Sequence, residues 1–146
     1  MKKIFIGAPI THLIENNKFD IEIKNIITVI INELKNKNYE VFSAHIEEKF
    51  GQGKIEDDQT IVIRDLKWID AADVCIFLFP IDKKKNTIRT DGTYIEIGYA
   101  IAKEKKVVIF YSDEERNKYS AMFKGLDCKD AVFIDFKDIY RTIEVI

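Results

Sequence analysis

The chain has little of several residue types that mark common protein classes. Its 146 residues include two cysteines, two prolines and two histidines, and the formal net charge is −2. Two cysteines cannot build a disulfide framework, and Cys75 lies in an apolar run, so we expect a reducing cytoplasmic setting. Because lysine and arginine are spread along the chain, we expect no nucleic-acid partner.

Long hydrophobic runs and familiar ligand motifs are also missing from the sequence. No apolar run approaches the roughly 18 residues that cross a bilayer, so we expect no membrane association. The loops G-x-G-x-x-G and G-x-x-x-x-G-K-[ST] do not occur, which excludes the usual dinucleotide and triphosphate loops. No set of His, Cys, Asp and Glu has metal-ligand spacing, so we predict neither a metal nor a cofactor.

Apolar runs of strand length alternate along the chain with segments of helical period. Strands this apolar are buried on both faces, as in parallel sheets covered by helices. The pattern predicts one α/β domain over residues 1–146, a doubly wound, flavodoxin- or Rossmann-like three-layer sandwich with a five-stranded parallel sheet. The predicted strands are 4–8, 39–44, 73–79, 106–111 and 131–135, and the predicted helices are 19–37, 57–71, 93–104 and 137–145.

The most informative segment is Asp91-Gly92-Thr93-Tyr94-Ile95-Glu96, which follows the third strand and opens a helix. The carboxyl ends of the strands are where open α/β sheets bind ligands. We expect Glu96 in or near the first helical turn, where the helix dipole and free N–H groups keep a carboxylate ionised. Such a carboxylate can attack carbon, act as a base or only cap the helix.

Three further places are candidates for ligand contact at this edge of the sheet. Gly7 and Ala8 end the first strand, and small residues there allow a ligand to approach the backbone. His45 comes just after the second strand, which again is the carboxyl edge. Asp65 lies on the helix that leads to the third strand, and its periodicity alone favours a solvated helix-face residue.

Four segments in the same order resemble the nucleoside 2-deoxyribosyltransferase superfamily, and especially its 2′-deoxynucleoside 5′-phosphate N-hydrolases. Each segment is weak alone, but the ordered set spans most of the chain. The segments are Lys3-Ile4-Phe5-Ile6-Gly7-Ala8, Asp65-Leu66-Lys67-Trp68-Ile69 with Ala72-Asp73-Val74, Gly92-Thr93-Tyr94-Ile95-Glu96-Ile97-Gly98-Tyr99-Ala100, and Ser120-Ala121-Met122-Phe123-Lys124-Gly125.

The resemblance implies that Glu96 is the nucleophile that attacks C1′ of the sugar and forms a covalent intermediate. It implies that Asp65 helps to protonate the leaving base, which calls for a raised pKa on Asp65 and a low one on Glu96. Water or a second base then takes the sugar. The resemblance also implies a homodimer in which Ser120 and Met122 reach the neighbouring site, and it places His45 near the ligand.

The chain departs from the family pattern at positions that bear on the substrate. Phe5 stands where the family often has a tyrosine whose hydroxyl contacts the nucleophile. The hydroxyl of Thr90 suits a phosphate or a ribose oxygen, whereas the carboxylate of Asp91 suits a free 5′-hydroxyl. The choice between nucleoside and 5′-monophosphate therefore stays open, as does that between deoxyribose and ribose. We take nine residues as substrate-binding: Phe5, Gly7, Ala8, His45, Thr90, Asp91, Gly92, and Ser120 and Met122 from the neighbouring subunit.

Our leading hypothesis is therefore an enzyme that cleaves the N-glycosidic bond of a nucleoside or nucleotide. Two alternatives remain at the level of sequence. One is a TIR-like enzyme that acts on NAD or a cyclic nucleotide, which uses the same edge of an α/β sheet. The other is a non-catalytic nucleotide-binding module, which the phenylalanine at Phe5 favours.

Overall fold

A computed structural model describes residues 1–54, 56–82 and 84–146 of the chain. Its central feature is a five-stranded parallel sheet with helices on both faces, which confirms the predicted fold class. The strands are β1 (Lys3–Gly7), β2 (Ile14–Glu15), β3 (Lys18–Phe19), β4 (Glu40–Ser43), β5 (Val74–Leu78), β6 (Lys106–Tyr111) and β7 (Ala131–Asp135). The helices are α1 (Ile21–Asn36), α2 (Ala44–Glu47), α3 (Asp58–Ala71), α4 (Asp91–Ala102), α5 (Ala121–Lys124) and α6 (Ile139–Val145).

The strand order of the large sheet determines where a ligand can bind. The order is β4-β1-β5-β6-β7, and each neighbouring pair is parallel. This is the flavodoxin-like order, in which the direction of winding reverses between β1 and β5. A crevice therefore opens at the carboxyl ends of these two strands.

Alternate residues of each central strand pack against opposite helix layers. Ile4 and Ile6 of β1 join the core under α1 and α6, whereas Phe5 joins the core under α3 and α4. In β5, Ile76 and Phe77 divide between the two layers in the same way. Because both faces are covered, the strands read in the sequence as continuous apolar runs.

The predicted first helix begins too early. Phe19 belongs to β3, which pairs with β2 in a short antiparallel hairpin, and α1 begins after its N-cap Asp20. Asn16 and Asn17 form the turn with φ of 51° and 62°. Two consecutive residues with positive φ are typical of a tight hairpin turn, and asparagine tolerates them.

Two other features of the described residues bear on the expectations above. Within 1–54, 56–82 and 84–146, no helix is long and apolar enough to cross a membrane. Both cysteines are free thiols, with Cys75 buried and Cys128 exposed.

Candidate active site

A cavity of about 350 Å³ opens at the crevice between β1 and β5. A volume of this size lies within the range of small-molecule sites. Four segments line it: the end of β1 with the loop that follows, the α2 segment after β4, the first half of α3, and the start of α4. The parallel topology thus brings residues from distant parts of the sequence to one place.

The cavity collects most of the residues that we predicted for the site. Nine of them are among its lining residues: Phe5, Gly7, Ala8, His45, Asp65, Thr90, Asp91, Gly92 and Glu96. Ser120 and Met122 do not line this cavity in the described part of the chain. Ser120 instead caps α5, where its Oγ accepts a hydrogen bond from the N–H of Phe123 at 3.2 Å, and Met122 is 83% exposed.

Glu96 lies deeper in its helix than we expected. The helix α4 begins at Asp91 with Thr90 as N-cap, so Glu96 is its sixth residue and sits in the second turn. The dipole effect fades within the first turn, and by the second turn the backbone N–H groups already have helical partners. The predicted stabilisation of an ionised Glu96 by the helix start is therefore wrong.

Burial instead favours the protonated form of Glu96. Desolvation and the neighbouring carboxyl of Asp65 raise the pKa of Glu96 to about 8. The two carboxyl groups lie within hydrogen-bonding reach, and the bond between them favours a proton on Glu96 and a charge on Asp65. Two carboxyls at such close quarters titrate as a pair rather than as independent groups.

Asp65 is buried, contrary to the solvated position that its periodicity favoured. The residue is only 9% exposed, and burial raises its pKa despite the arginine beside it. Arg64 Nε donates to Asp65 Oδ1 at 2.8 Å, and Arg64 Nη2 donates to Glu48 Oε2 at 2.7 Å. The apolar periodicity of α3 gave no sign that Asp65 is buried, because the helix here buries the ion pair of Asp65 and Arg64 rather than a stripe of apolar side chains.

Gly7 makes room for Glu96 at the end of β1. A Cβ on this residue would lie 2.7 Å from Phe77 Cδ1 and 3.2 Å from Glu96 Oε1. The first distance is too short for any real side chain, and Phe77 is fully buried and cannot move aside easily. The absent side chain thus lets the Glu96 carboxyl pack against the strand backbone.

His45 links two of the segments that line the cavity. Its Nε2 lies 3.1 Å from the carbonyl oxygen of Pro9, to which it donates as a neutral ring. Burial lowers the pKa of His45, and its Nδ1 is buried without a hydrogen-bond partner in the described residues. The histidine therefore holds the loop after β1 against α2 and keeps one acceptor free.

Phe5 and Thr90 both serve the structure of the site. Phe5 is fully buried and packs against Phe77 with ring centroids 5.9 Å apart, so it supplies an apolar wall. Thr90 Oγ1 accepts a hydrogen bond from the N–H of Thr93 at 3.2 Å and lies 2.7 Å from the Thr93 hydroxyl. The Thr90 hydroxyl thus caps α4 as well as lining the cavity.

Sequence reasoning missed two charged residues next to the pair. Glu48 lines the cavity beyond α2, and Arg64 joins it to Asp65. Arg64 precedes Asp65 directly, but neighbours in a helix point away from each other, so the spacing gives no sign of their contact. Glu48 follows His45 by three residues at the carboxyl edge, and that position is a signal that could have pointed to it.

The described residues contain no cluster of three or more His, Cys, Asp or Glu side chains arranged to hold a metal ion. Three carboxyls of the cavity, those of Glu48, Asp65 and Glu96, are paired with each other or with Arg64. The arrangement places two carboxyls with raised pKa, those of Asp65 and Glu96, next to a space that a small molecule can fill.

Comparison with known proteins identifies the family. The profile of the nucleoside 2-deoxyribosyltransferase family matches residues 16–132, well over half of the chain. The chain therefore belongs to this family, and the relationship supports an enzyme that acts on the glycosidic bond of a nucleoside. No curated protein gave a significant match.

Solved structures show the same fold at low sequence identity. The CMP N-glycosidase BcmB from Clostridium botulinum is 19% identical, with a TM-score of 0.69 over 99% of this chain and 100% of that one. BlsM is 23% identical, with a TM-score of 0.75 over 97% of this chain and 85% of that one. A 2-deoxyribosyltransferase from Bacillus psychrosaccharolyticus is 21% identical, with a TM-score of 0.59 over 97% and 95%.

Proposed function

We propose that this protein cleaves the N-glycosidic bond of a nucleoside, with Glu96 as the nucleophile at C1′ and Asp65 as the acid for the leaving base. The observation that carries the proposal is the pair of carboxyls in the cavity, Asp65 and Glu96, which lie within hydrogen-bonding reach and whose burial raises the pKa of both. Cleavage needs one carboxylate to attack carbon and one carboxylic acid to protonate the base. A pair that holds a single proton contains both forms at once.

The reaction follows from where that proton goes. When substrate binds, the proton of the pair lies on Asp65 and Glu96 is a carboxylate. A Glu96 oxygen forms a bond to C1′ while the C1′–N bond breaks, and the base leaves with the Asp65 proton. Asp65 is then a carboxylate that can take a proton from the incoming acceptor. The acceptor restores Glu96 when its oxygen or nitrogen bonds to C1′.

The acceptor decides between two enzyme classes that share this first step. Water gives the free sugar and an N-hydrolase, whereas a second base gives a new nucleoside and a transferase. The carboxyl pair serves both outcomes, because either acceptor must lose a proton as it attacks. An assay with and without a free base separates them.

The charge of the cavity favours a substrate with a free 5′-hydroxyl. Its lining contributes four carboxyls, those of Glu48, Asp65, Asp91 and Glu96, and its other titratable groups in the described residues are two histidines. A 5′-phosphate carries close to two negative charges at neutral pH and is repelled by carboxylates. Asp91, at the exposed start of α4, can accept a hydrogen bond from a hydroxyl. We infer a nucleoside rather than a monophosphate as substrate.

The test is base release from a panel of ribo- and deoxynucleosides and their 5′-monophosphates, separated by chromatography. Wild type should release base, and Glu96→Ala should not, while its circular dichroism and melting stay those of a folded protein. Glu33→Gln, an exposed glutamate on α1, is the matched control and should keep full activity. Retained base release in Glu96→Ala would overturn the nucleophile, and faster release from monophosphates would overturn the substrate.

The same panel with NAD added separates the alternative functions. Free nicotinamide from NAD would favour the TIR-like alternative. Binding without turnover across the whole panel would favour a non-catalytic module. Neither result is expected, because both would leave the shared proton of Asp65 and Glu96 without a use.

We also propose that a second copy of the chain covers the rim of the cavity. Large apolar side chains are exposed there: Val62 of α3 is 53% exposed and Ile95 of α4 is 63% exposed, and both line the cavity. Met122 of α5, outside the cavity lining, is 83% exposed and is the residue that we expect to reach the partner's cavity. Exposed apolar groups beside a site are typical of a surface that a partner covers.

Mixing two inactive variants tests this second copy. If Met122 of one protomer completes the site of the other, Glu96→Ala and Met122→Asp should each be weak or inactive alone. A refolded mixture should regain part of the activity, because the mixed dimer has one site with both residues intact. A monomeric wild type in sedimentation would contradict the proposal, as would full activity of Met122→Asp.

A further inference from the structure

Arg64 occupies an unusual position next to the carboxyl pair. Its guanidinium bridges two carboxylates that line the cavity, Asp65 on the same helix and Glu48 beyond α2, while Arg64 itself does not line the cavity in the described structure. The guanidinium also lies over the ring of Trp68, 4.8 Å from its centroid. The Arg64 side chain is only 14% exposed.

The contact between Arg64 and Asp65 is not a by-product of helix geometry. Adjacent residues in a helix point in different directions, whereas residues four apart lie on one face. Trp68 is four residues after Arg64 and stacks in turn on Phe42 of β4, with an interplanar angle of 12°. Trp68 and Glu48 therefore turn the guanidinium toward Asp65 and hold it there.

Stability alone is a poor reason for this arrangement. A partly buried ion pair loses hydration, and that cost can exceed its electrostatic gain. Moreover, Arg64 Nη1 is buried without a hydrogen-bond partner in the described residues, which adds a further cost. The arrangement instead occupies one oxygen of Asp65 with an N–H donor and places a positive charge beside the catalytic pair.

We propose that Arg64 is a positioning residue that keeps Asp65 as the charged member of the resting pair, and so leaves the shared proton on Glu96 until substrate binds. The inference rests on the proposed function, since it assigns Arg64 a role within that reaction. A guanidinium hydrogen-bonded to Asp65 stabilises the charge there more than on Glu96, which it does not bond. Bound substrate then has to draw the proton from Glu96 to Asp65 before the base can leave.

The charged groups around the pair define what each substitution should do. Arg64 lowers the pKa of both carboxyls, whereas Glu48 raises both. His45 and Asp91 line the same cavity from α2 and α4, and Cys75 of β5 stays a neutral thiol because burial raises its pKa to about 12. Removal of Arg64 and removal of the Glu48 charge should therefore move the titration in opposite directions.

The experiment is an NMR titration of the protein with ¹³C-labelled Asp and Glu carboxyls, together with the pH profile of base release. In Arg64→Met both titration steps of the Asp65–Glu96 pair should move to higher pH, by on the order of one pH unit. Glu48→Gln should move them to lower pH, and Arg64→Lys, which keeps the charge but not the fork, should shift them upward by less. Asp70→Asn, an exposed position on the same helix, is the control and should change neither.

The outcomes separate this inference from the proposed function. Unmoved steps in a folded Arg64→Met, or shifts of the same sign in Arg64→Met and Glu48→Gln, would overturn the role of Arg64. If Arg64→Met does not fold, Arg64→Lys and Glu48→Gln decide the matter by the direction of their shifts. A wild type that releases no base refutes the proposed function, and the titration still tests what Arg64 does to the pair.

Discussion

The two carboxyls of the cavity have contrasting surroundings although they lie within hydrogen-bonding reach of each other. Asp65 faces a polar network on α3, where Arg64 donates to one of its oxygens and Glu48 lies beyond. Glu96 projects from α4 toward the end of β1, where its Oε1 and the buried ring of Phe77 both lie close to the space that a side chain on Gly7 would occupy. One carboxyl has a cation within hydrogen-bond distance, and the other has carbon atoms and a second carboxyl.

The difference shows how one fold separates the roles of two identical functional groups. Desolvation raises the pKa of both, but the Arg64 contact lowers that of Asp65 and the Asp65 charge raises that of Glu96. The proton affinities are set by neighbours rather than by the carboxyls themselves. If this is correct, changes on the two sides should have different and separable effects.

The largest effect is expected from Asp65→Asn. The asparagine cannot give a proton to the leaving base, so base release should fall by about 10²–10⁴-fold. A 2-deoxyriboside with a 4-nitrophenolate leaving group needs no proton and should lose much less. Steady-state rates on both substrates measure the contrast.

The contrast itself is the decisive result for Asp65. An equal loss on both substrates would show that Asp65 supports the fold or binding rather than proton transfer. Asp70→Asn on the same helix provides the matched control. Its carboxyl is exposed and accepts from the Tyr99 hydroxyl at 2.8 Å, away from the cavity, so neither rate should change.

A change on the other side of the pair, Gly7→Ala, should act through packing. The new methyl group has to displace Phe77 and the Glu96 carboxyl, and overpacking of this kind costs about 1–3 kcal/mol. We expect a lower melting temperature and a loss of base release larger than that stability change explains, because Glu96 moves. Thermal unfolding and steady-state rates measure the two effects.

Gly98→Ala is the control for this substitution, since a Cβ there meets nothing within 4 Å. In the interior of α4 it should leave stability unchanged or raise it by up to about 1 kcal/mol. Normal melting and activity in Gly7→Ala would show that the close approach of Glu96 to β1 is not needed.

The sequence allowed the layer architecture to be predicted because its signal is local. Continuous apolar strands and the 3–4-residue spacing of Ile23, Ile27, Ile30 and Leu34 identify both partners of the sandwich. The hairpin of β2 and β3 was not predicted, because each strand has only two residues and gives no alternating pattern. The start of α4 was placed two residues late, since Thr90 resembles a loop residue until its capping contact is seen.

The site was predictable as a set of residues but not as an electrostatic arrangement. The order of the motifs identified Glu96 and Asp65 as residues of one site, and the parallel topology explains why they lie in the same cavity. Their proton affinities depend on burial and on the neighbouring Arg64 and Glu48. These contacts form only in the folded protein, and the periodicity of the sequence does not indicate them. For this reason the sequence indicated the location of Glu96 but not the rise of its pKa with burial.

The smallest expected effect concerns the pH dependence of folding stability. The pKa of Glu96 is about 8 in the folded protein against an ordinary 4.5, so between these values the folded state holds a proton that the unfolded state has lost. Stability therefore falls as the pH rises through this window. Glu96→Gln cannot ionise and should escape that fall. Its melting temperature should match wild type near pH 5 and exceed it by a margin that grows as the pH rises toward 8.

This last prediction distinguishes the two sides of the pair more sharply than activity does. Asp65→Asn removes the negative charge that raises the pKa of Glu96, so it should also flatten the dependence, but only in part, because desolvation of Glu96 remains. An equal pH slope in wild type and Glu96→Gln would mean that Glu96 is already ionised in the folded protein. The apolar wall at Gly7 and Phe77 would then have no effect on its proton, and the contrast between the two carboxyls would depend on Arg64 alone.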